Sequence, residues 1–137
     1  NYLRIMEQEL ETAPSGRLYS LAAAVCMYYT RDYRKAIQYF EQAVSLDYDV
    51  NESLQSMAEA YYRLSEFEQA RAIYLRLYRS GFVSFSLYIN LANLLVKSGQ
   101  FALAADLLRR ALSLKELGDE TVARIKQNLQ YLEEQLD

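Results

Sequence analysis

The 137 residues suffice for one domain of ordinary size; with 52% hydrophobic and 24% charged residues, four Gly and one Pro, they exclude a disordered tail and a turn-rich all-β protein. A formal charge of −3 leaves no basic excess for a phosphate backbone, so nucleic acid is not expected as a partner. The absence of histidine removes the commonest general base and metal ligand, and the lone Cys26 supports neither an internal disulfide nor a thiolate metal site.

In chain order, residues 1–12 place Leu3, Met6 and Leu10 on one helical face, and Pro14 follows. The apolar run from Leu18 to Tyr29 is shorter than the roughly 20 residues a membrane helix needs, and no basic leader precedes it. A buried helix is expected there, with no direct membrane insertion. The chain begins at Asn1, which reads as a processed chain or a fragment. A cytoplasmic location is favoured, with periplasmic or exported routes left open.

Three segments then share one pattern: RDYRKAIQYFEQAVSLD from Arg31, SEFEQARAIYLRLYRSG from Ser65 and GQFALAADLLRRALSLK from Gly99. Tyr33, Phe67 and Phe101 recur at a stride of 34 residues, as do Ala36, Ala70 and Ala104. Upstream in each unit, Ala24, Ala58 and Ala92 keep the same stride. The pattern predicts two helices per unit, joined at Arg31-Asp32, Ser65-Glu66 and Gly99-Gln100. Alanines belong where two helix axes approach most closely, because larger side chains would separate them. One pair leaves an apolar face bare, so units must stack into a right-handed superhelix with a concave face.

The loop Gly81-Phe82-Val83-Ser84-Phe85 differs from its counterparts. Gly81 suits a left-handed helix cap with Phe82 folding back; an exposed apolar contact site is the alternative. Residues 119–136 predict one more amphipathic helix through Val122, Ile125, Leu129 and Leu132. Lys126 stands where a packing alanine would admit a further helix, and its long side chain would cover the open end. Asp119 is expected to act as its N-cap.

This pattern resembles the tetratricopeptide repeat (TPR) family. Units 17–50, 51–84 and 85–118 are in frame, and Tyr88, Leu91, Ala92, Leu95, Ala104, Leu108 and Ala111 make the third the best fit. Leu77 departs from the last small residue of unit two, and no unit ends in the usual Pro. Pro14 falls where a preceding unit would close, so residues 1–16 read as a truncated repeat or an N-terminal cap; Tyr2 and Glu9 hold places normally given to alanine. The resemblance implies an all-α TPR solenoid of helix-turn-helix repeats, one domain over 1–137, closed by a capping helix at 119–137.

The resemblance also implies a groove lined by the first helix of each unit. Unit one would contribute Leu21, Val25, Tyr28 and Tyr29, unit two Glu52, Gln55, Glu59 and Tyr62, and unit three Asn90, Asn93 and Lys97. Tyrosine combines apolar surface with a hydroxyl, so Tyr28, Tyr29 and Tyr62 would carry affinity, unless they pad neighbouring helices. Gln55, Asn90 and Asn93 would set register, and Glu52 with Glu59 would favour a ligand carrying Lys or Arg. The apolar stretch of unit one is either a ligand surface or ground covered by a preceding helix. Chaperone-binding members use a clamp of Lys, Asn and Arg; the corresponding Leu21, Val25, Ser56, Ser86 and Asn90 carry no cation, so that clamp is absent.

The function implied is a non-catalytic module binding a peptide or helical segment of a protein partner, without metal or cofactor. The alternatives are a structural section of a longer array or a self-associating scaffold, and a small secretion-type chaperone holding a translocator segment. GRLYSLAAAVCMYY is similar to class II type III secretion chaperones, and YRSGFVSFSLYINLANLLVKSG to TPR proteins of bacterial aerotolerance operons. No catalytic residue is assigned. The pairs Glu7/Glu9 and Glu133/Glu134 have no basic or nucleophilic companion in the same repeat position nearby and read as solvated charge; Gly81, Gly99 and Gly118 form no phosphate loop; Cys26 reads as a buried small hydrophobe.

Overall fold

Short polar side chains start several of the helices by accepting from backbone N–H groups that have no partner inside the helix. Asn1 accepts from Leu3 N at 3.0 Å, Ser15 from Leu18 N at 3.1 Å, Asp32 from Lys35 N at 3.1 Å and Ser84 from Leu87 N at 3.3 Å. A computed structural model describes residues 1–114 and 117–136. Among these residues it contains α1 (Tyr2–Thr12), α2 (Gly16–Tyr28), α3 (Tyr33–Ser45), α4 (Val50–Arg63), α5 (Phe67–Arg79), α6 (Phe85–Lys97), α7 (Phe101–Leu112) and α8 (Asp119–Leu136), and no strand. The fold is all-α, a helical-repeat solenoid.

The stride of 34 residues reappears in the backbone itself. Arg31 (φ 57°), Ser65 (φ 59°) and Gly99 (φ 78°) are all left-handed, each in the turn between two helices. After Ser65 and Gly99 the chain closes the helix in the same way: Glu66 N donates to Tyr61 O and Gln100 N to Leu95 O, both at 2.9 Å. Only the third turn uses glycine, the residue that adopts this conformation without a steric penalty. Ser65→Gly is therefore expected to stabilise the protein by about 0.5–1 kcal/mol, read as a raised urea midpoint at unchanged slope.

The helices fall into two compact units, Asn1–Leu77 and Tyr78–Asp137. In the first, α1 lies against α2, α2 packs on α3 and α3 on α4. Its core holds Ala22, Ala23, Cys26 and Met27 from α2, Ala36, Ile37, Phe40 and Ala43 from α3, Leu54, Met57, Ala58 and Ala60 from α4, and Ala70, Tyr74 and Leu77 from α5. In the second, α6 packs on α7 and α7 on α8, around Leu87, Leu91, Leu95, Leu107, Leu108, Ile125 and Leu132. Tyr78, in the last turn of α5, belongs to this unit; its ring meets Tyr88 edge-on at 6.3 Å, and its hydroxyl donates to Asp106 at 3.4 Å.

The alanines at fixed stride are buried at 36, 58, 70, 92 and 104. Ala24 is the exception and stays partly exposed. One turn before it stands Ser20, where the other two first helices carry the buried Leu54 and Tyr88, so that face has less side chain to close it. Gly81 takes the expected left-handed cap at φ 89°, and Phe82 after it is half-buried. At α8 the boundary moves by one position: Gly118 O accepts from Val122 N at 3.0 Å, so Asp119 is the first helical residue and Gly118 holds the cap place. Lys126 is exposed, and Cys26 is fully buried, which pushes its thiol pKa up and leaves it a small apolar side chain.

Two carboxylates read from the sequence as solvated have basic partners. Glu7 of α1 lies 2.7 Å from Lys35 Nζ and accepts from the Tyr39 hydroxyl, while Glu133 pairs with Arg109 at 3.2 Å. Both partners come from distant positions that fall into place only once helices pack. Tyr19 stacks beside Tyr39 at 6.1 Å, so the Glu7 contacts fasten α1 to an aromatic pair shared by α2 and α3.

The Lys35 and Tyr39 hydrogen bonds hold the Glu7 carboxyl below its ordinary pKa of 4.5. A depressed carboxylate pKa contributes stability above the unfolded value, and that contribution is lost as pH falls through the folded value. Glu7→Gln is thus expected to cost about 1 kcal/mol at pH 7, where both contacts are partly exposed, and progressively less as the pH is lowered below 4.5. Urea titrations of the two proteins at each pH measure the difference.

Candidate binding surface

On α2 the positions not used by the core point outward in two directions. Leu21, Tyr28 and Tyr29 are 45%, 59% and 83% exposed, and Val25 is half-buried. Val25 and Tyr29 line a cleft of about 470 Å³ together with Asn1, Tyr2, Leu3 and Met6 of the α1 end and Thr30. The helix preceding α2 therefore reaches this apolar stretch but leaves most of Tyr29 uncovered. Tyr28 turns instead toward α4. Partial burial, and then the Glu59 carboxylate, raise its phenol pKa.

Along α4, Glu52, Glu59 and Arg63 lie on one stripe, since steps of seven and four residues bring a helix back to within about 40°. Glu52 is exposed in the first turn. Glu59 is paired with Arg63 at 3.4 Å, so the expected acidic patch is partly neutralised from within. Tyr62 packs its ring against Phe67, edge-on at 5.3 Å, which gives it the padding role its sequence position left open. Gln55 is half-buried, and its Oε1 is buried with no hydrogen-bond partner among the described residues, so the acceptor end of this amide is turned away from a ligand.

A second cleft, of about 170 Å³, lies beside Tyr28 and is lined by Met27, Tyr28, Arg31, Tyr33 and Arg63. The repeat stride marks Arg31 as a turn residue and carries no sign that its side chain reaches a cleft. Its left-handed backbone is what carries the chain back so that Tyr33 and Tyr28 share one cleft.

In the second unit, Asn90 is half-buried and engaged in an interaction, Asn93 is exposed, and Lys97 is exposed in the last turn of α6. Asn93 lines a cleft of about 330 Å³ with Phe85, Ile89 and Leu108 as apolar floor and Thr121, Arg124 and Asn128 of α8 on its rim. The sequence reading gave α8 only the task of closing the stack. Continuing the stride one step past Asn90 arrives at Arg124, which is the signal that would have found it.

Among the described residues no group of His, Cys, Asp or Glu could hold a metal ion, and no helix is long and apolar enough to cross a membrane. Tyrosine rings, amides and paired charges around shallow clefts are the chemistry of recognition. Family models described as tetratricopeptide repeat match residues 10–82 and 87–121. No curated protein matches the chain.

Proposed function

Because the chain belongs to the tetratricopeptide repeat family, whose repeats mediate protein–protein interactions, we propose that it is a non-catalytic module that holds a segment of a partner protein against the first helices of its repeats. The repeat frame behind this reading is 17–50, 51–84 and 85–118, with 1–16 before it and residues 119–137 as its cap. The observation that carries it is the uncovered apolar surface at the C-terminal half of α2: Leu21, Tyr28 and the C-cap Tyr29 stand out from a helix whose other face is core. Tyr28 and Tyr29 would supply affinity in the first unit, with Glu52 answering a basic residue of the segment. Asn93, above its apolar floor, would hold a peptide group in the second.

The test is capture of the native partner with the 137-residue chain as bait. Leu21→Ser combined with Tyr29→Ser replaces exposed side chains only, so helicity and unfolding midpoint should be unchanged while affinity falls at least tenfold. Undiminished capture would contradict the reading. A second reading has its own observation: Tyr2 and Ile5 of α1 are also uncovered, at 80% and 52%, and would suit a copy of the same chain or a neighbouring section of an array. Light scattering over a concentration series decides it, with a constant monomer mass expected for the binding module.

A further inference from the structure

The cleft beside Tyr28 has a chemistry different from the rest of the first unit. It is rich in donors and poor in acceptors. Arg31 contributes a guanidinium that makes no ion pair or hydrogen bond among the described residues. Arg63 contributes a second, whose one carboxylate partner among the described residues, Glu59, sits at the long distance of 3.4 Å and occupies one of five donor hydrogens. Tyr28 and Tyr33 add two hydroxyls, neither with a hydrogen-bond partner among the described residues. Asp32, the nearest carboxylate in sequence to Arg31, is engaged in capping α3 through Lys35 N at 3.1 Å. A volume of about 170 Å³ accommodates a planar or tetrahedral oxyanion with a few of its waters, at about 30 Å³ per water.

We infer that the cleft formed by Tyr28, Arg31, Tyr33 and Arg63 is an oxyanion subsite that seats an acidic side chain, carboxylate or phosphate, of the segment bound by the first unit. The inference rests on the groove reading above and adds the charge pattern of the guest. Planar guanidinium forks match either oxyanion, and the phenol hydroxyls complete the shell. These residues differ from the uncharged positions 21, 25, 56, 86 and 90, so the family's chaperone clamp is not rebuilt here. Glu52 and Arg63 share the outward stripe of α4 and are separated by about 16 Å along its axis at 1.5 Å per residue. An extended chain covers that distance in about five residues. The guest therefore carries a Lys or Arg opposite Glu52 and an acidic group about five residues away, opposite Arg63.

The probes are four acetylated and amidated hexapeptides, Lys-Ala-Ala-Ala-Ala-X, in which X is Glu, phosphoserine, Gln or Ala, titrated into the 137-residue chain and followed by NMR. The Glu and phosphoserine peptides are expected to shift signals at Tyr28, Arg31, Tyr33 and Arg63, and to bind at least tenfold more tightly than the Gln and Ala peptides. Whichever of the two binds better identifies the oxyanion. Arg63→Gln should abolish the difference. Arg31→Gly should abolish it too while raising stability, because glycine relieves the left-handed turn as it removes the guanidinium; loss of binding then cannot be loss of fold. Equal binding of all four peptides would overturn the subsite and leave the groove reading standing. Binding of none would also overturn the subsite, and the Leu21/Tyr29 variant decides the groove separately.

Discussion

Truncating Tyr74 to alanine is expected to cost about 3–5 kcal/mol, the largest loss from any single side chain in the first unit. Tyr74 is the largest side chain with no exposed surface, it sits in mid-helix on α5, and it is engaged in a further interaction. Removing the ring deletes its transfer free energy and leaves a cavity that neighbours held in helices cannot close. A domain's stability is about 5–15 kcal/mol, so thermal unfolding should shift down by about 10–15 °C. Tyr74→Phe keeps the ring and should recover most of that shift. A truncation that moved the midpoint by less than about 3 °C would mean that the ring does not fill the core.

Gly16→Ala is the second large effect, and here two forces oppose each other. Alanine is the better helix former by up to about 1 kcal/mol, and Gly16 needs no left-handed conformation. Against this, a methyl group at Gly16 would overlap Cβ of Tyr48 and reach 3.0 Å from its Cγ. Cβ is fixed to the backbone and cannot swing aside as a flexible tip would. Tyr48 is itself held between two left-handed residues, Asp47 and Asp49, with its N–H on Ala43 O at 3.0 Å. Overlap should win, and a net cost of about 1–3 kcal/mol is expected. A double-mutant cycle identifies the cause. Tyr48→Gly should cancel most of the added penalty, Tyr48→Ala, which keeps Cβ, should not, and purely additive energies for both would contradict the clash.

Much of the fold is legible in the chain because its repeat is enforced by short, local physics. The alanines at 36, 58, 70, 92 and 104 have to be small for helices to cross closely, and they are buried. The turns at Arg31, Ser65 and Gly99 were placed by the same stride. Their shared left-handed backbone was hidden, because only Gly99 announces it in its side chain. Pairing across helices was hidden too. Glu7 and Lys35 are far apart in the chain, and Glu59 with Arg63 needed only the four-residue spacing to be noticed.

The candidate surface was legible by type more than by partner. Leu21, Tyr28 and Tyr29 are uncovered. Tyr62 is instead drawn onto Phe67, and Gln55 turns its acceptor inward, because interhelical contacts compete for the same side chains. The repeat pattern marks Arg31 only as a turn residue and assigns nothing to Arg124 or Asn128, since their place in a cleft depends on which helix end meets which. The position of a residue in a repeat sets which way it faces. What it meets there is decided by the packing.

Hydrogen–deuterium exchange of the chain, alone and with its captured partner, tests most directly where a guest lies. Slowed exchange is expected at exposed helix ends and side-chain-bearing turns of α2 and α4 and along α6, with α3 and α7 unchanged. Protection confined to α3 and α7 would place the partner on the second helices of the repeats and contradict the account.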